Sequence, residues 1–249
     1  MLRLKTDRRY ELKYVLHRDE MAAVLADMGD YLQPDAYGDR HGQYLVTSLY
    51  FDTADLKAYW DKIDGHKFRR KVRVRVYGDQ LVTPETPVFA EIKQRLDKTL
   101  EKRRVLLPYG WAVALDSLDR YSSEADLDRL VLDEIHYLAE TLQLQPTCIV
   151  NYSRLAFNGT DYDPGLRVTF DTDLQGRVHD LTLESKSYAH NEYFLPPYWC
   201  IMEIKVNHRV PYWLTEIIGK HRCVLRRVSK YCAALEHSQV IRTRQRIAI

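Results

Sequence analysis

Glutamate and lysine stand two residues apart in three strand-like segments of this chain, as Glu11/Lys13, Glu91/Lys93 and Glu203/Lys205, and Arg73/Arg75 repeats the spacing with two arginines. In a strand, residues two apart share one face. One charged face alone is explained by water on one side and core on the other. Repetition, with Arg favoured, points to a shared destination for these side chains. Guanidinium groups grip phosphate oxygens through a planar fork and ammonium groups act as point charges, so the chemistry suggested is the holding of a polyanion. Carboxylates among such cations would repel phosphate unless a hard divalent cation intervened. Mg²⁺ or Mn²⁺ takes one or two carboxylates together with phosphate oxygens and water. Glu203 fits that task, helped by Glu11, Glu91 or Asp171; for Glu91 and Glu101, pairing with a neighbouring Arg or Lys is an equal alternative.

These residues need elements to carry them. Alternation and β-branched or aromatic content predict strands near 7–15, 43–51, 67–77, 87–96, 99–107, 147–157, 165–173 and 198–206, with a further short one near 177–183. Helices fit at 17–29, 54–63, 122–144, 211–219 and 229–240. The longest would be capped by Ser122-Ser123 and would align Leu127, Leu130, Val131, Ile135, Leu138 and Leu142. Asn158-Gly159 to Pro164-Gly165 reads as a hairpin-like connection.

Splitting each strand by parity gives Arg9, Glu11 and Lys13 on one face, then Lys71, Arg73 and Arg75, then Glu91, Lys93 and Arg95. Gln94 interrupts the apolar face behind the last set. The strand near 99–107 offers Glu101 and Arg103 on one side and Lys102 and Arg104 on the other. Arg154 follows, then Arg167, Thr169 and Asp171 in register, then Glu203, Lys205 and Asn207. If eight strands turn these faces inward, the apolar faces lie outside under the amphipathic helices. The expected fold is α+β, a closed or nearly closed eight-stranded antiparallel β-barrel, polar within, with helices packed on the outside. Burying about ten cations beside a few carboxylates costs several kcal/mol per unpaired ion, so the cavity must hold water, a polyanion or both.

Composition narrows the alternatives. The chain has 249 residues with 45% hydrophobic content and no composition shift, which suggests one domain over 1–240 followed by a basic tail over 241–249. Its 37 basic and 35 acidic side chains nearly cancel, which argues against duplex nucleic acid as a partner. Eighteen tyrosines could stack bases, but they fall mainly opposite the charges and read as core or rim residues. Cys148, Cys200, Cys223 and Cys232 form no Cys-x-x-Cys pair and no dense framework, which suggests reduced thiols in a cytoplasmic protein. No secretory signal and no transmembrane run is expected. Zinc motifs and glycine-rich phosphate loops are absent, so any phosphate chemistry rests on side chains.

Six stretches carry a resemblance: Arg9-Tyr10-Glu11-Leu12-Lys13-Tyr14, Tyr50-Phe51-Asp52-Thr53, Arg73-Val74-Arg75-Val76-Tyr77, Glu91-Ile92-Lys93, Glu203-Ile204-Lys205 and Ser229-Lys230-Tyr231. In this order they resemble the VTC domain, the polyphosphate polymerase module of the vacuolar transporter chaperone complex and of stand-alone bacterial proteins, within the CYTH-like triphosphate tunnel superfamily. The resemblance implies a tunnel that binds ATP and a growing inorganic polyphosphate, with transfer of the γ-phosphate. It implies phosphate contacts at Arg9, Lys13, Arg73, Arg75, Lys93, Arg154, Arg167, Lys205 and Lys230. Lys13, Arg73, Arg75, Lys93 and Glu203 would form the catalytic set, with Glu203, Glu11 and Asp171 holding Mn²⁺ or Mg²⁺. Arg9 stands where CYTH-type triphosphatases and cyclases have the first glutamate of Glu-x-Glu-x-Lys. Hydrolysis of tripolyphosphate or a nucleoside triphosphate in the same tunnel, and polyphosphate binding without turnover, are the alternatives. The SPX domain and membrane helices of eukaryotic relatives are absent, so inositol phosphate control and coupled translocation are not expected. Partner proteins or membranes are not specified by the sequence.

Overall fold

The computed structural model describes residues 10–97, 99–123, 125–184, 190–238 and 240–241; Arg9 and the arginines of the tail lie outside them. The described chain runs β1 (Tyr10–His17), α1 (Arg18–Met28), β2 (Leu32–Pro34), β3 (Gln43–Asp52), α2 (Lys57–Ile63), β4 (Phe68–Tyr77), β5 (Pro87–Leu96) and β6 (Thr99–Pro108). It continues through α3 (Tyr109–Val113), α4 (Asp126–Leu142), β7 (Gln145–Gly159), β8 (Arg167–Arg177), β9 (Glu192–Tyr193), β10 (Trp199–Val206), α5 (Tyr212–Lys220) and α6 (Lys230–His237).

Eight strands form one antiparallel sheet in the order β1-β10-β8-β7-β3-β4-β5-β6, with the short β2 and β9 added to β7 and β8. Charge complementarity favours this register. Antiparallel pairing of the first and last Glu-x-Lys segments sets Glu11 opposite Lys205 and Lys13 opposite Glu203. Arg73 likewise faces Glu91, and Arg154 faces Asp171. The sheet curls until its two ends approach. Lys93 of β5 reaches Glu11 of β1 at 3.3 Å. Among the described residues no backbone ladder joins β1 to β6, so the strands form a curled half-barrel and side chains span the seam.

Two apolar clusters lie outside the curl, as the strand faces predict. Val72, Val74, Val88, Ile92, Val105 and Leu107 pack under α3 and α4. Val168, Phe170, Met202, Ile204 and Val206 pack under α1 and α5. A third cluster departs from expectation: Tyr50, Cys148, Val150, Tyr152, Leu174 and Ile201 face inward and meet Tyr231, Ala234 and Leu235 of α6. One part of the interior is therefore apolar and packed against a helix, not polar throughout. A break in β8 helps create it. The β7–β8 register shifts, Asp173 takes φ 52°, and the polar positions Arg167, Thr169 and Asp171 give way to Leu174 and Gly176. At Gly176 a Cβ would lie 2.9 Å from that of Ala234, so the absent side chain lets α6 approach.

Other departures are local. The long helix begins at Asp126 with Ala125 as its uncapped N-cap, so Ser122-Ser123 do not start it. No strand occupies 177–183; β8 ends at Arg177, whose guanidinium bonds the carbonyls of Asp180 and Thr182. The short α3 and a 3₁₀ turn at Leu115–Arg120 carry no strong sequence pattern and were not expected. All four cysteines are free thiols, and among the described residues no helix is long and apolar enough to cross a membrane.

Candidate functional site

Inward positions of eight strands and the first turn of α6 converge on the hollow of the sheet. Glu203 of β10 is its most connected carboxylate. Lys230 Nζ lies 2.7 Å away, Lys205 Nζ 2.9 Å, Lys13 Nζ 3.0 Å and Arg154 Nη2 3.8 Å. Burial opposes ionisation of Glu203, but these cations hold its carboxyl well below the usual range. Asp171 receives both forks of Arg154 at 2.7 Å and Lys230 at 2.6 Å, and its carboxyl is likewise lowered against burial. Glu11 meets Lys93 at 3.3 Å, Lys13 at 3.5 Å and Lys205 at 3.8 Å.

Across the hollow the partners change. Arg73 binds Glu91 at 2.6 Å and donates to the Tyr50 hydroxyl at 3.1 Å. Lys102 also reaches Glu91, at 3.4 Å. Arg75, 5% exposed, donates to Ser48 Oγ at 2.9 Å and the Tyr152 hydroxyl at 3.3 Å. Among the described residues it forms no ion pair. Neither does Lys71, whose ammonium meets Ser229 Oγ at 3.3 Å and sits 4.5 Å over the Tyr231 ring. Lys93 has a distinctive balance: Glu11 favours its charge, but burial and the neighbouring Lys13 outweigh that and push it down to about 8.

At the far end of the same inward face, Tyr44, Tyr77 and Phe89 form a row of rings spaced 5.8 and 5.9 Å apart. Arg104 lies 4.3 Å over Phe89, and Arg75 5.8 Å over Tyr77. Cations and aromatic faces thus share one rim.

A protein-family comparison matches residues 8–238 to the VTC domain. The chain belongs to the VTC domain family. Two solved structures share its fold. A Bacillus halodurans protein described as a candidate adenylate cyclase is 12% identical, with a TM-score of 0.50 over 89% of this chain and 95% of its own. A Hippeastrum protein described as a candidate adenylyl cyclase with a dominant triphosphatase activity is 14% identical, with a TM-score of 0.54 over 92% and 96%. At those identities the likeness is one of fold. No curated protein matches the chain.

Within this VTC domain, Glu11, Lys13, Arg73, Arg75, Lys93, Arg154, Asp171, Glu203, Lys205 and Lys230 line one hollow. Lys230 opens α6 but is 8% exposed and ion-paired, unlike a solvated helix lysine. Arg167 is diverted: its guanidinium pairs with Asp35 beside β2 and donates to the Tyr44 hydroxyl at 3.0 Å. Glu91 is paired with Arg73, as in the neighbour-pairing alternative for that residue. The split in β6 is also decided. Lys102 and Arg104 turn inward, whereas Arg103 meets Glu134 of α4 at 2.6 Å and Gln94 at 3.0 Å, which gives Gln94 its polar partner.

Sequence reasoning set the tyrosines opposite the charges, and here the structure differs. Tyr44, Tyr50, Tyr77 and Tyr152 share the charged face, where their hydroxyls and rings accept Arg contacts. Their even or odd parity beside Arg73, Arg75 and Arg154 was the available signal. The expected metal ligands Glu203, Glu11 and Asp171 lie together, but lysine ammonium groups stand between them: Lys13 touches Glu11 and Glu203, and Lys230 touches Glu203 and Asp171. Among the described residues no group of three or more His, Cys, Asp and Glu is arranged as a metal cage. The oxygen-only donors suit a hard cation that takes one or two carboxylates and completes its shell with phosphate and water, not a cage made by protein alone.

Proposed function

We propose that this VTC domain transfers the γ-phosphate of ATP to the end of an inorganic polyphosphate, releasing ADP. Arg75 carries the reading. A guanidinium so deeply buried, bonded only to hydroxyls, pays a desolvation cost that an anion would offset. Arg73 and Arg154 keep permanent charge beside it, because Glu91 and Asp171 outweigh their burial and raise them further. These three would bind and orient phosphate oxygens, and Lys13, Lys93, Lys205 and Lys230 would neutralise charge on the transferred group. Phosphoryl transfer needs positioning and neutralisation more than covalent help. A terminal phosphate oxygen is already anionic near neutral pH, so no protein base is required. Mn²⁺ or Mg²⁺, bound through Glu203 with Glu11 or Asp171, would draw negative charge off the phosphates.

The row of Tyr44, Tyr77 and Phe89 favours a nucleotide over bare tripolyphosphate as donor, since a base can stack on such rings beside Arg104. Hydrolysis with water as acceptor is the second reading, supported by the triphosphatase activity ascribed to the Hippeastrum protein of similar fold. One assay separates them: incubation with ATP and Mn²⁺, analysed for long-chain polyphosphate, ADP and free phosphate. Long-chain product with matching ADP supports transfer. Free phosphate without chain growth supports hydrolysis, and nucleotide binding with neither product overturns both.

A further inference from the structure

Two of the stretches picked out in the sequence, Tyr50-Phe51-Asp52-Thr53 and Ser229-Lys230-Tyr231, lie almost two hundred residues apart, yet the fold joins them. Tyr231 donates its hydroxyl to Asp52 Oδ2 in a buried bond. We propose that Asp52 and Tyr231 form a latch that positions Lys230 for the phosphates, a role that rests on the reading of Lys230 given above. Neither latch residue would touch substrate. Both are positioning residues.

Lys230 ends a flexible four-carbon stem at the first position of an eight-residue helix. The stretch before it is largely exposed and is tied to β1 by the Arg226 N–H to the Lys13 carbonyl at 2.8 Å. Where the ammonium lands therefore depends on how α6 is held. Tyr231, the next residue, is 2% exposed, with its ring 5.1 Å from that of Tyr50 and under the Lys71 ammonium. Its acceptor is fixed as firmly. Asp52 is 1% exposed and accepts the backbone N–H groups of Thr53 and Ala58 at 2.8 Å and of Tyr59 at 3.2 Å, at the start of α2. Burial, reinforced by the Asp52 carboxylate, holds the Tyr231 hydroxyl far above its ordinary range, so it stays a donor. The same attachment places Ser229 Oγ against Lys71, which brings a second cation to the start of α6. A separate bond, from the Tyr59 hydroxyl to Glu236 at 3.2 Å, holds the other end of the helix and serves as an internal comparison.

The test is tripolyphosphate binding by calorimetry to the full chain and to Tyr231→Phe, Lys230→Ala and Arg73→Ala, alone and in pairs, with thermal unfolding recorded for each. Phe keeps the ring packing, and Asp52 keeps three backbone donors, so Tyr231→Phe is expected to fold. Its affinity should fall about tenfold, the scale of one hydrogen bond to a charged group. In the Lys230→Ala background the same change should have almost no further effect, whereas with Arg73→Ala the losses should multiply. Tyr59→Phe should bind within about twofold of the parent, because the bond it loses lies at the far end of α6. Wild-type affinity in Tyr231→Phe, or losses that multiply with Lys230→Ala, overturns the latch. Wild-type affinity in Lys230→Ala itself overturns the phosphate role of that lysine, and the latch with it.

Discussion

On the β1–β10–β8 side of the hollow, Glu11, Asp171 and Glu203 are each met by two or more cations, whereas on the β3–β4–β6 side Arg75, Lys71 and Arg104 form no ion pair among the described residues. Both sides are built from strand residues of one parity. On the first, antiparallel pairing of Glu-x-Lys with Glu-x-Lys neutralises charge internally, so the network helps specify the register. On the second, Glu91 pairs with Arg73 and Lys102, but hydroxyls and rings orient Arg75, Lys71 and Arg104 without cancelling their charge. That arrangement leaves positive charge for a ligand, at a cost in stability the folded chain bears alone. The difference can be attacked from either side.

The largest effect is expected at Glu203. In Glu203→Ala, Lys13, Lys205 and Lys230 lose a shared counter-ion, and breaking such a buried network costs about 3–5 kcal/mol. Denaturant unfolding should show that loss, and turnover should disappear even where the variant is folded. The comparison adds a second arm. Tripolyphosphate can replace the missing negative charge, so it should raise the melting temperature of Glu203→Ala by more than that of the parent. An unchanged unfolding midpoint would mean that the lysines are not held by this carboxylate.

Arg75 should behave oppositely. Arg75→Met removes a buried cation that lacks a carboxylate, so stability should stay within about 1 kcal/mol of the parent or improve. Tripolyphosphate affinity should fall about 100-fold, as expected for loss of a charge-assisted fork. A variant that unfolds easily yet binds normally would reverse the assignment of the two sides.

Lys93 bridges them, and its behaviour depends on pH. Its native pKa of about 8 lies below the ordinary 10.5. Between those values the unfolded chain keeps a proton the native chain has lost, so stability rises with pH through that window, and the penalty is complete below pH 8. The side chain is 36% exposed, so solvent screening reduces the penalty to about 1 kcal/mol. Lys93→Met should therefore be more stable than the parent by about that amount near pH 7, with the gain shrinking toward pH 10. Calorimetry in buffers of different ionisation enthalpy near pH 8.5 should show proton uptake on tripolyphosphate binding, and Lys93→Met should abolish it.

Much of this arrangement was legible because strands alternate. The eight long strands and the inward sets Glu11/Lys13, Arg73/Arg75 and Glu203/Lys205 were readable from two-residue spacing, and the family from the resemblance of six short stretches taken in order. What escaped depends on contacts between distant segments. The apolar part of the interior requires the bulge at Asp173, which flips the pattern of β8, and a helix far along the chain to fill the space. Arg167 shares the parity of Asp171, but Asp35 beside a three-residue strand claims it, and so short a strand has no periodicity to detect. The tyrosines were misplaced because an aromatic residue on a strand usually signals core, while here their polar tips support arginines.

β6 supplies the smallest effect and the cleanest control, because parity alone left both of its faces charged. Arg103 meets Glu134 of α4 through two bonds of 2.6 and 2.7 Å, next to Gln94, on the side of the sheet that packs against that helix. Lys102 and Arg104, one residue to either side, reach Glu91 and Phe89 in the hollow. Arg103→Ala should thus cost only about 1 kcal/mol of stability, as for a partly exposed bidentate pair, and change tripolyphosphate affinity by less than about twofold. Arg104→Ala should do the reverse, leaving stability nearly unchanged while weakening nucleotide binding severalfold. If the two variants exchanged phenotypes in matched unfolding and binding measurements, β6 would be turned over, and the β6 cations assigned to the hollow would belong to the outer surface.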